Sequence, residues 1–569
     1  MTGSCIREGE AAEDQGSASP GTYDLGPSLR TMSAMREPTL HDDSLMEPRR
    51  VRMLLAVIVL AALALRCFNT LAHWDVIERD TGSFLYQAKS LIKGDAYRWF
   101  AVHTKPPLYS ALIAAGWKMG LDPIVAGRLV ALLAGLLVLH PAWLLLKRCG
   151  PAGPALVGLA ILALMKEPVQ ASGRCISDTT YAAIMTYGLY FFLVRGLIDE
   201  RLWAFPLAGA LVGLAYLTRT EGLMLLPIGL FVVAVGGIAR KLPRRTALLG
   251  GLAMLAVGLA IISVHVAMVS AAEGRFTIRR NMGQFMLYSI GATQEVTPSA
   301  GKGPVPLEVL TAHGLAMARS WLNSLWHYLS SYIARAGGYV TGAFLIAGLA
   351  AYGRRLWRWR PCQLGLGVFF LFLCGLSVIK PHTRMLLGVL SLTGYLMGAG
   401  VFWIHRQVDK LNLPGKGRPG SEMVIPGIAI AGVLAISVAS VIKFDRYQDS
   451  AISRAASIVV ANSRSQEPPV AMPRVATGEA AIAWYANGEV VPFSDNWKLT
   501  VGQLRELLLQ KKVDFFVLDA SKLFAAGLDK KAIDSPPAFL KLVGEAHRDP
   551  RSKDKAHLLV YRVLAADGR

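Results

Sequence analysis

The sequence predicts an all-α polytopic membrane protein with about eleven transmembrane helices and a small C-terminal α/β module. Three observations carry that expectation. The 569 residues are 53% hydrophobic and only 17% charged, where an average soluble domain is about a quarter charged. Apolar runs near the ~17–25 residues that cross ~30 Å of hydrocarbon recur along the chain. The short connectors between them are dense in Arg and Lys. A mean hydropathy of +0.40 agrees. The net charge of +21 then reflects basic residues that hold loops on one side of a membrane, and is no nucleic-acid signal.

Residues 1–47, rich in Gly, Ser, Glu and Asp, predict a disordered cytoplasmic tail without a cleavable signal peptide. The first span, about 53–72, is announced by the basic stretch Arg49-Arg50-Val51-Arg52. Further spans are expected at about 123–147, 151–167, 178–195, 202–218, 221–238, 248–272, 337–353, 363–380, 385–404 and 423–442. With the N-terminus inside, every inner connector is basic: Lys147-Arg148, Arg195 with Arg201, Arg240-Lys241 with Arg244-Arg245, Arg354-Arg355 with Arg358 and Arg360, and Arg406 to Arg418. An odd number of spans places the tail outside. The chain thus divides into a membrane domain, 48–442, and an extracytoplasmic α/β domain, 443–569. The tail's strand-like runs Val513–Asp519 and His557–Val563 flank no recognisable catalytic motif.

Two outer segments, about 73–122 and 273–336, are too long for simple turns, and such connections are more often functional. In the first, Phe84, Leu85, Ala88, Leu91 and Ile92 repeat at helical spacing up to Gly94. This predicts an amphipathic helix lying in the membrane interface, with Tyr86 as an interfacial anchor. In the second, Trp321, Trp326, Tyr328 and Tyr332 suit the headgroup layer. Six scattered cysteines with no CxxC predict neither a disulfide framework nor a zinc site.

The densest polar cluster outside the spans lies in the first outer segment. It holds Asp75, Glu78, Asp80, Arg79, His103 and Lys105. A carboxylate there can take a proton from an alcohol or amine nucleophile. Cations there can hold a phosphate leaving group.

The stretch Arg79–Arg98 followed by Lys105-Pro106-Pro107-Leu108 resembles the first outer loop of bacterial membrane glycosyltransferases with the C-type fold, the protein mannosyltransferases and the aminoarabinose transferase of lipid A. The shared pattern is an acid after the first span (Asp80), an aromatic (Tyr86), a Gly turn (Gly94) and Lys-Pro-Pro. The junctions Tyr216–Pro227 and Lys380–Leu392 are similar to later ones in these proteins. Many relatives have two adjacent acids at the catalytic spot, whereas here Thr81 follows Asp80 and the nearest second acid is Glu78.

The resemblance implies transfer of a sugar from a polyprenyl-phosphate donor to a lipid, glycan or protein acceptor on the outer face of the bacterial inner membrane. It implies Asp80 as base, with Glu78 as a second acid. Lys105, His103, Tyr86, Arg174, Arg219 and Arg384 are the candidate substrate contacts, with Lys105 and Arg384 on the phosphate. No nucleotide-binding Gly loop is present. No cofactor is implied with certainty, and a divalent metal requirement stays open. The alternatives are a transporter or flippase for a lipid-linked or anionic substrate, or a non-catalytic assembly subunit. A transporter usually buries ionisable groups at the midplane, in two related halves. Here polar residues gather at one face.

Overall fold

The computed structural model describes residues 47–564 except 75–78, 95–104, 240–241, 275, 277–305, 333–336, 357–359, 378–382, 411–423 and 443–446. In the tail it also leaves aside 466–469, 471, 478–479, 494–498, 521–522, 524–525, 529–534 and 547–557. The expected N-terminal tail, Glu78, His103 and most of the second outer loop lie outside the described residues.

Each apolar segment expected to span is helical. They are α1 (Pro48–Ala72), α4 (Pro123–Leu146), α5 (Ala152–Leu164), α7 (Asp178–Ile198), α8 (Ala204–Thr218), α9 (Thr220–Ile238), α10 (Arg244–Glu273), α12 (Tyr339–Leu356), α13 (Arg360–Leu376), α14 (Ser391–Lys410) and α15 (Val424–Ile442). Between them lie α2 (Arg79–Lys93) and α3 (Leu108–Lys118), α6 (Lys166–Ser172), and α11 (Pro306–His327). Six of these helices are individually long and apolar enough to cross a membrane, and the bent pair α5–α6 makes a seventh.

The segment expected as one straight span over 151–167 is broken. Its two parts, α5 and α6, meet at 50° across Met165, whose backbone is extended. Pro168 explains the break: it lacks the N–H that would bond Leu164 O, and its ring clashes with that carbonyl. The freed carbonyls are served by side chains. Arg66 of α1 donates from Nη1 to Ala163 O at 2.7 Å and from Nε to Ser172 Oγ at 3.2 Å, while Ser437 of α15 donates to Leu164 O. A buried backbone break in lipid needs such partners.

Small residues set how α14 packs. A methyl at Gly398 would fall 2.0 Å from Pro154 O, and one at Gly400 1.9 Å from Phe344 O. The Gly394-x-x-x-Gly398 stripe therefore lets α14 lie directly on α5, and Gly400 lets it lie on α12.

The tail begins with α16 (Tyr447–Arg464) and forms a five-stranded sheet of order β2-β1-β3-β5-β4. Its strands are β1 (Arg474–Thr477), β2 (Glu489–Pro492), β3 (Phe515–Asp519), β4 (Leu540–Ala546) and β5 (Leu558–Val563). β1, β2 and β3 run parallel and β5 and β4 antiparallel. The parallel pairs are joined through α17 (Ala480–Tyr485) and α18 (Val501–Gln510), as parallel connections require. A capping box between Thr500 and Gln503 starts α18. The small α/β module read from the sequence is present.

The amphipathic helix is also present, and Gly94, at φ +80°, ends it. Its apolar face does not meet lipid, however. Phe84, Leu85 and Ala88 are buried against Tyr109, Ile113 and Cys175. Tyr86 is likewise no interfacial anchor: its hydroxyl donates to Gly488 O at 2.7 Å, and its ring meets Trp484 edge-on at 5.3 Å. Trp484 also contacts Trp117 at 6.0 Å and lies under Lys89 at 5.8 Å. Amphipathicity alone does not say whether lipid or protein covers a face. In the second outer loop, Trp326 is exposed, but Tyr328 is fully buried and Trp321 donates to Cys374 O at 2.7 Å. The tail is thus docked onto α2 by a wedge of aromatic rings and one buried hydrogen bond. Removing that bond leaves Gly488 O without its partner, so Tyr86→Phe is expected to loosen the docking by about 1–3 kcal/mol. Faster proteolytic release of the tail from the full-length protein would show it; unchanged protection would refute it.

Candidate active site

Four connectors bring ionisable side chains to one end of the helical bundle. Asp80 stands in the first turn of α2, and Lys105 precedes Pro106-Pro107 at the entry to α3. Asp178 opens α7, Arg219 and Glu221 lie where α8 gives way to α9, and Arg384 sits on the 3₁₀ turn Thr383–Gly388 before α14. Within the first turn, the Asp80 charge is favourable to the helix dipole.

The side chains form an alternating chain of charge. Lys105 Nζ lies 2.8 Å from Asp80 Oδ1, and Arg384 Nη1 lies 3.7 Å from Asp80 Oδ2. Arg384 also reaches Asp178 Oδ2 at 3.8 Å. Asp178 pairs with Arg219 Nη1, whose Nη2 lies 3.0 Å from Glu221 Oε1. Asp80 and Lys105 are about one third exposed (30% and 32%), Arg384 and Arg219 less so, and Glu221 and Asp178 are buried. One end of the chain opens to a ligand and the other is anchored in protein.

Burial pushes the Asp80 carboxyl up, but Lys105 and Arg384 beside it, with the Lys105 hydrogen bond and Arg219 further off, outweigh burial. They hold it well below the usual carboxylate range. Asp80 is therefore ionised at every working pH. Because its folded-state pKa is depressed, its pairing stabilises the fold above the ordinary carboxylate pKa and loses that effect only as pH falls through the depressed value.

The surrounding backbone fixes this geometry. Arg128 of α4 donates to Trp74 O and, at 3.3 Å, to His73 O, while its guanidinium lies 5.1 Å from the Trp74 ring. It caps the end of α1 just before the chain turns toward Asp80. Thr81, next to Asp80, is buried and donates to Cys175 O at 3.1 Å, joining α2 to the turn before Asp178.

Of the sequence-predicted site residues, Asp80, Lys105, Arg219 and Arg384 come together. Arg174 stands in the same turn as Cys175, between α6 and α7. Tyr86 does not join the cluster, because its hydroxyl faces the tail. Glu78 and His103 are outside the described residues. Asp178 and Glu221 join the cluster: Asp178 is held by Arg219, 41 residues away, and by Arg384, and Glu221 pairs with Arg219. Gln87 and Ser110 carried no signal in the sequence, although both are fully buried, Gln87 on the Lys105 carbonyl and Ser110 on Gln87. Among the described residues, no three His, Cys, Asp or Glu side chains gather as metal ligands.

Residues 104–267 match the family model described as dolichyl-phosphate-mannose-protein mannosyltransferase. That stretch contains Lys105, Asp178, Arg219 and Glu221. No curated protein sequence matches the chain significantly. The fold is similar to that of ArnT from Cupriavidus metallidurans, solved bound to undecaprenyl phosphate. The two share 15% identity at a TM-score of 0.56, over 89% of this chain and 97% of that one. It is also similar to the oligosaccharyltransferase AglB from Archaeoglobus fulgidus, solved with an inhibitory peptide and a dolichol-phosphate. There the identity is 13% and the TM-score 0.51, over 84% of this chain and 71% of that one. The family match thus runs through Lys105, Asp178, Arg219 and Glu221, and the C-type fold extends over most of the chain.

Proposed function

We propose that the protein moves a sugar from a polyprenyl-phosphate carrier to an acceptor at the outer face of the bacterial inner membrane, with Asp80 as base. The observation that carries this reading is the convergence of Lys105 and Arg384 on the two oxygens of one carboxylate. A carrier phosphate placed there meets two cations.

The arrangement supports a mechanism in two stages. At rest, Asp80 is a weak base because its two cations stabilise its anion. An entering phosphodiester competes for Lys105 and Arg384. As they turn toward phosphate, Asp80 keeps its desolvation and loses its counter-charges, so its proton affinity rises where the acceptor waits. The acceptor oxygen or nitrogen then attacks the anomeric carbon. Its proton passes to Asp80, the bond from that carbon to the phosphate oxygen breaks, and the electron pair leaves on the polyprenyl phosphate held by Lys105 and Arg384. Arg219 and Glu221 keep Asp178, and through it Arg384, from collapsing wholly onto Asp80.

Another solved form of the Archaeoglobus fulgidus oligosaccharyltransferase contains zinc and sulfate. In the present chain Lys105, Arg384 and Arg219 occupy the oxygens of Asp80 and Asp178 that a divalent cation would need. Among the described residues, the proposed charge compensation at rest therefore comes from side chains.

Parity supports the topology. The tail docks on α2, so the chain after α15 lies on the side where it left α1. The ten apolar helices between, α5 and α6 counting as one, satisfy this with an even number of crossings. The four site connectors then share that side, and the Arg148–Asp199–Arg195 cluster lies at the opposite end of α7. The basic connectors at the opposite end of the bundle support an extracytoplasmic placement of the site's side. Among the described residues, no comparable cluster supports the alternative of a midplane transporter.

Asp80→Asn gives two readouts of opposite sign. Transfer falls by about 10²–10⁴-fold, read as loss of one sugar in mass spectrometry of envelope lipids and glycans. Affinity for undecaprenyl phosphate rises, because Lys105 and Arg384 no longer have a competing anion. Full transfer in that variant would remove the base. Lys105→Met is expected to move the acid limb of kcat/KM upward toward the ordinary carboxylate range, since one depressing cation is gone; an unmoved limb would separate Asp80 from that limb. Cysteines at the exposed positions Lys93 and Lys511 should both react with an impermeant thiol reagent from outside intact spheroplasts, and labelling of either only after lysis would overturn the topology.

A further inference from the structure

We infer that Gln87 is a positioning residue that sets Lys105 at the active carboxylate. The inference rests on the reading of Lys105 as a carrier-phosphate contact and goes beyond it. Asp80, Phe84 and Gln87 are spaced i, i+4 and i+7 and so share one face of α2. All three engage the same lysine. Asp80 takes its ammonium at 2.8 Å, the Phe84 ring lies 5.6 Å from that ammonium, and Gln87 Nε2 donates to the backbone carbonyl of Lys105 at 3.1 Å.

Chain chemistry explains why this carbonyl needs a hold. Lys105 precedes Pro106, which excludes it from helical backbone, and Pro106 and Pro107 have no N–H. No helical turn therefore claims the carbonyl. Gln87 does, and its amide is itself fixed: Ser110, in the first turn of α3, donates to Gln87 Oε1 at 2.6 Å. Gln87 and Ser110 are both fully buried. A buried amide with both ends satisfied holds one orientation, because turning it over would break both bonds. The network thereby links α2, which carries the base, to the entry of α3, which carries the phosphate contact. The backbone of Lys105 is thereby held at a set distance from Asp80, while its side chain can still turn from the carboxylate to a phosphate.

The test is a double-mutant cycle on the full-length protein in lipid nanodiscs, with undecaprenyl phosphate as the probe and its dissociation constant as the readout. Lys105→Met is expected to weaken binding about tenfold, as loss of a charge-assisted contact does. Gln87→Met in the wild-type background should weaken it about fivefold, on the scale of a buried hydrogen bond. The double variant should bind no more weakly than Lys105→Met alone, since Gln87 acts only through that lysine. Ser110→Ala, a milder change that leaves the helix packing intact, should shift affinity in the same direction by less. Equal weakening by Gln87→Met in both backgrounds would mean general loosening and would overturn the inference. So would an unchanged affinity in Gln87→Met. Unchanged binding in Lys105→Met would instead overturn the carrier-phosphate reading, and the role of Gln87 with it.

Discussion

Every charge drawn toward the edge of the bilayer in this protein has to find a partner, and that constraint shapes the rest of the structure. A buried ion loses several kcal/mol of hydration, which pairing restores only in good geometry. The sequence meets this with the alternating order Lys105, Asp80, Arg384, Asp178, Arg219, Glu221. No two like charges are neighbours in it. The members come from four connectors far apart in the chain, so the chain of charge forms only when the helices carrying them are packed together. Folding and assembly of the site are one event.

Much of the fold was legible because bilayers impose a simple code. All eleven apolar segments are helices, and Gly94 ends α2 as expected. The tail strands were visible from their β-branched and aromatic runs. What the sequence could not disclose was what lies opposite a given face. The apolar stripe of α2 reads identically whether lipid or protein covers it, and only the fold shows Tyr109, Ile113 and the tail there. Breaking of the third span was foreseeable in principle from Pro168, but a proline's effect depends on whether neighbours can serve the freed carbonyls. Arg66, more than a hundred residues away from Ser172, is part of that answer.

The site was legible to the extent that its chemistry is local. Asp80 and Lys105 stand out because the polar loop around them interrupts an apolar chain. Arg384 and Arg219 stand out as cations at span junctions. Asp178 was visible as an acid but not as a member, because its membership depends on Arg219 at a distance of 41 residues. Gln87 is the extreme case. An amide between Tyr86 and Ala88 looks like a solvated helix position, and only its complete burial between Lys105 O and Ser110 gives it meaning.

The distribution of buried cations also bears on the proposed reading of this architecture as an enzyme rather than a conduit. Among the described residues, two arginines lie wholly within protein among the spans, and a transporter would keep such groups free to alternate between substrate and counter-ion. Here both are engaged by backbone. Arg66 bonds Ala62 O, Ala163 O and Ser172, and Arg128 bonds the carbonyls of His73 and Trp74. Acceptors fixed by helix ends do not alternate. These guanidiniums hold irregular backbone in place. The cations that can exchange partners, Lys105 and Arg384, are the partly exposed ones at the edge, against a carboxylate that shares them. Rigid charge inside and exchangeable charge at one rim suit the proposed catalyst, whose substrate would present its headgroup there while its chain stays in the bilayer.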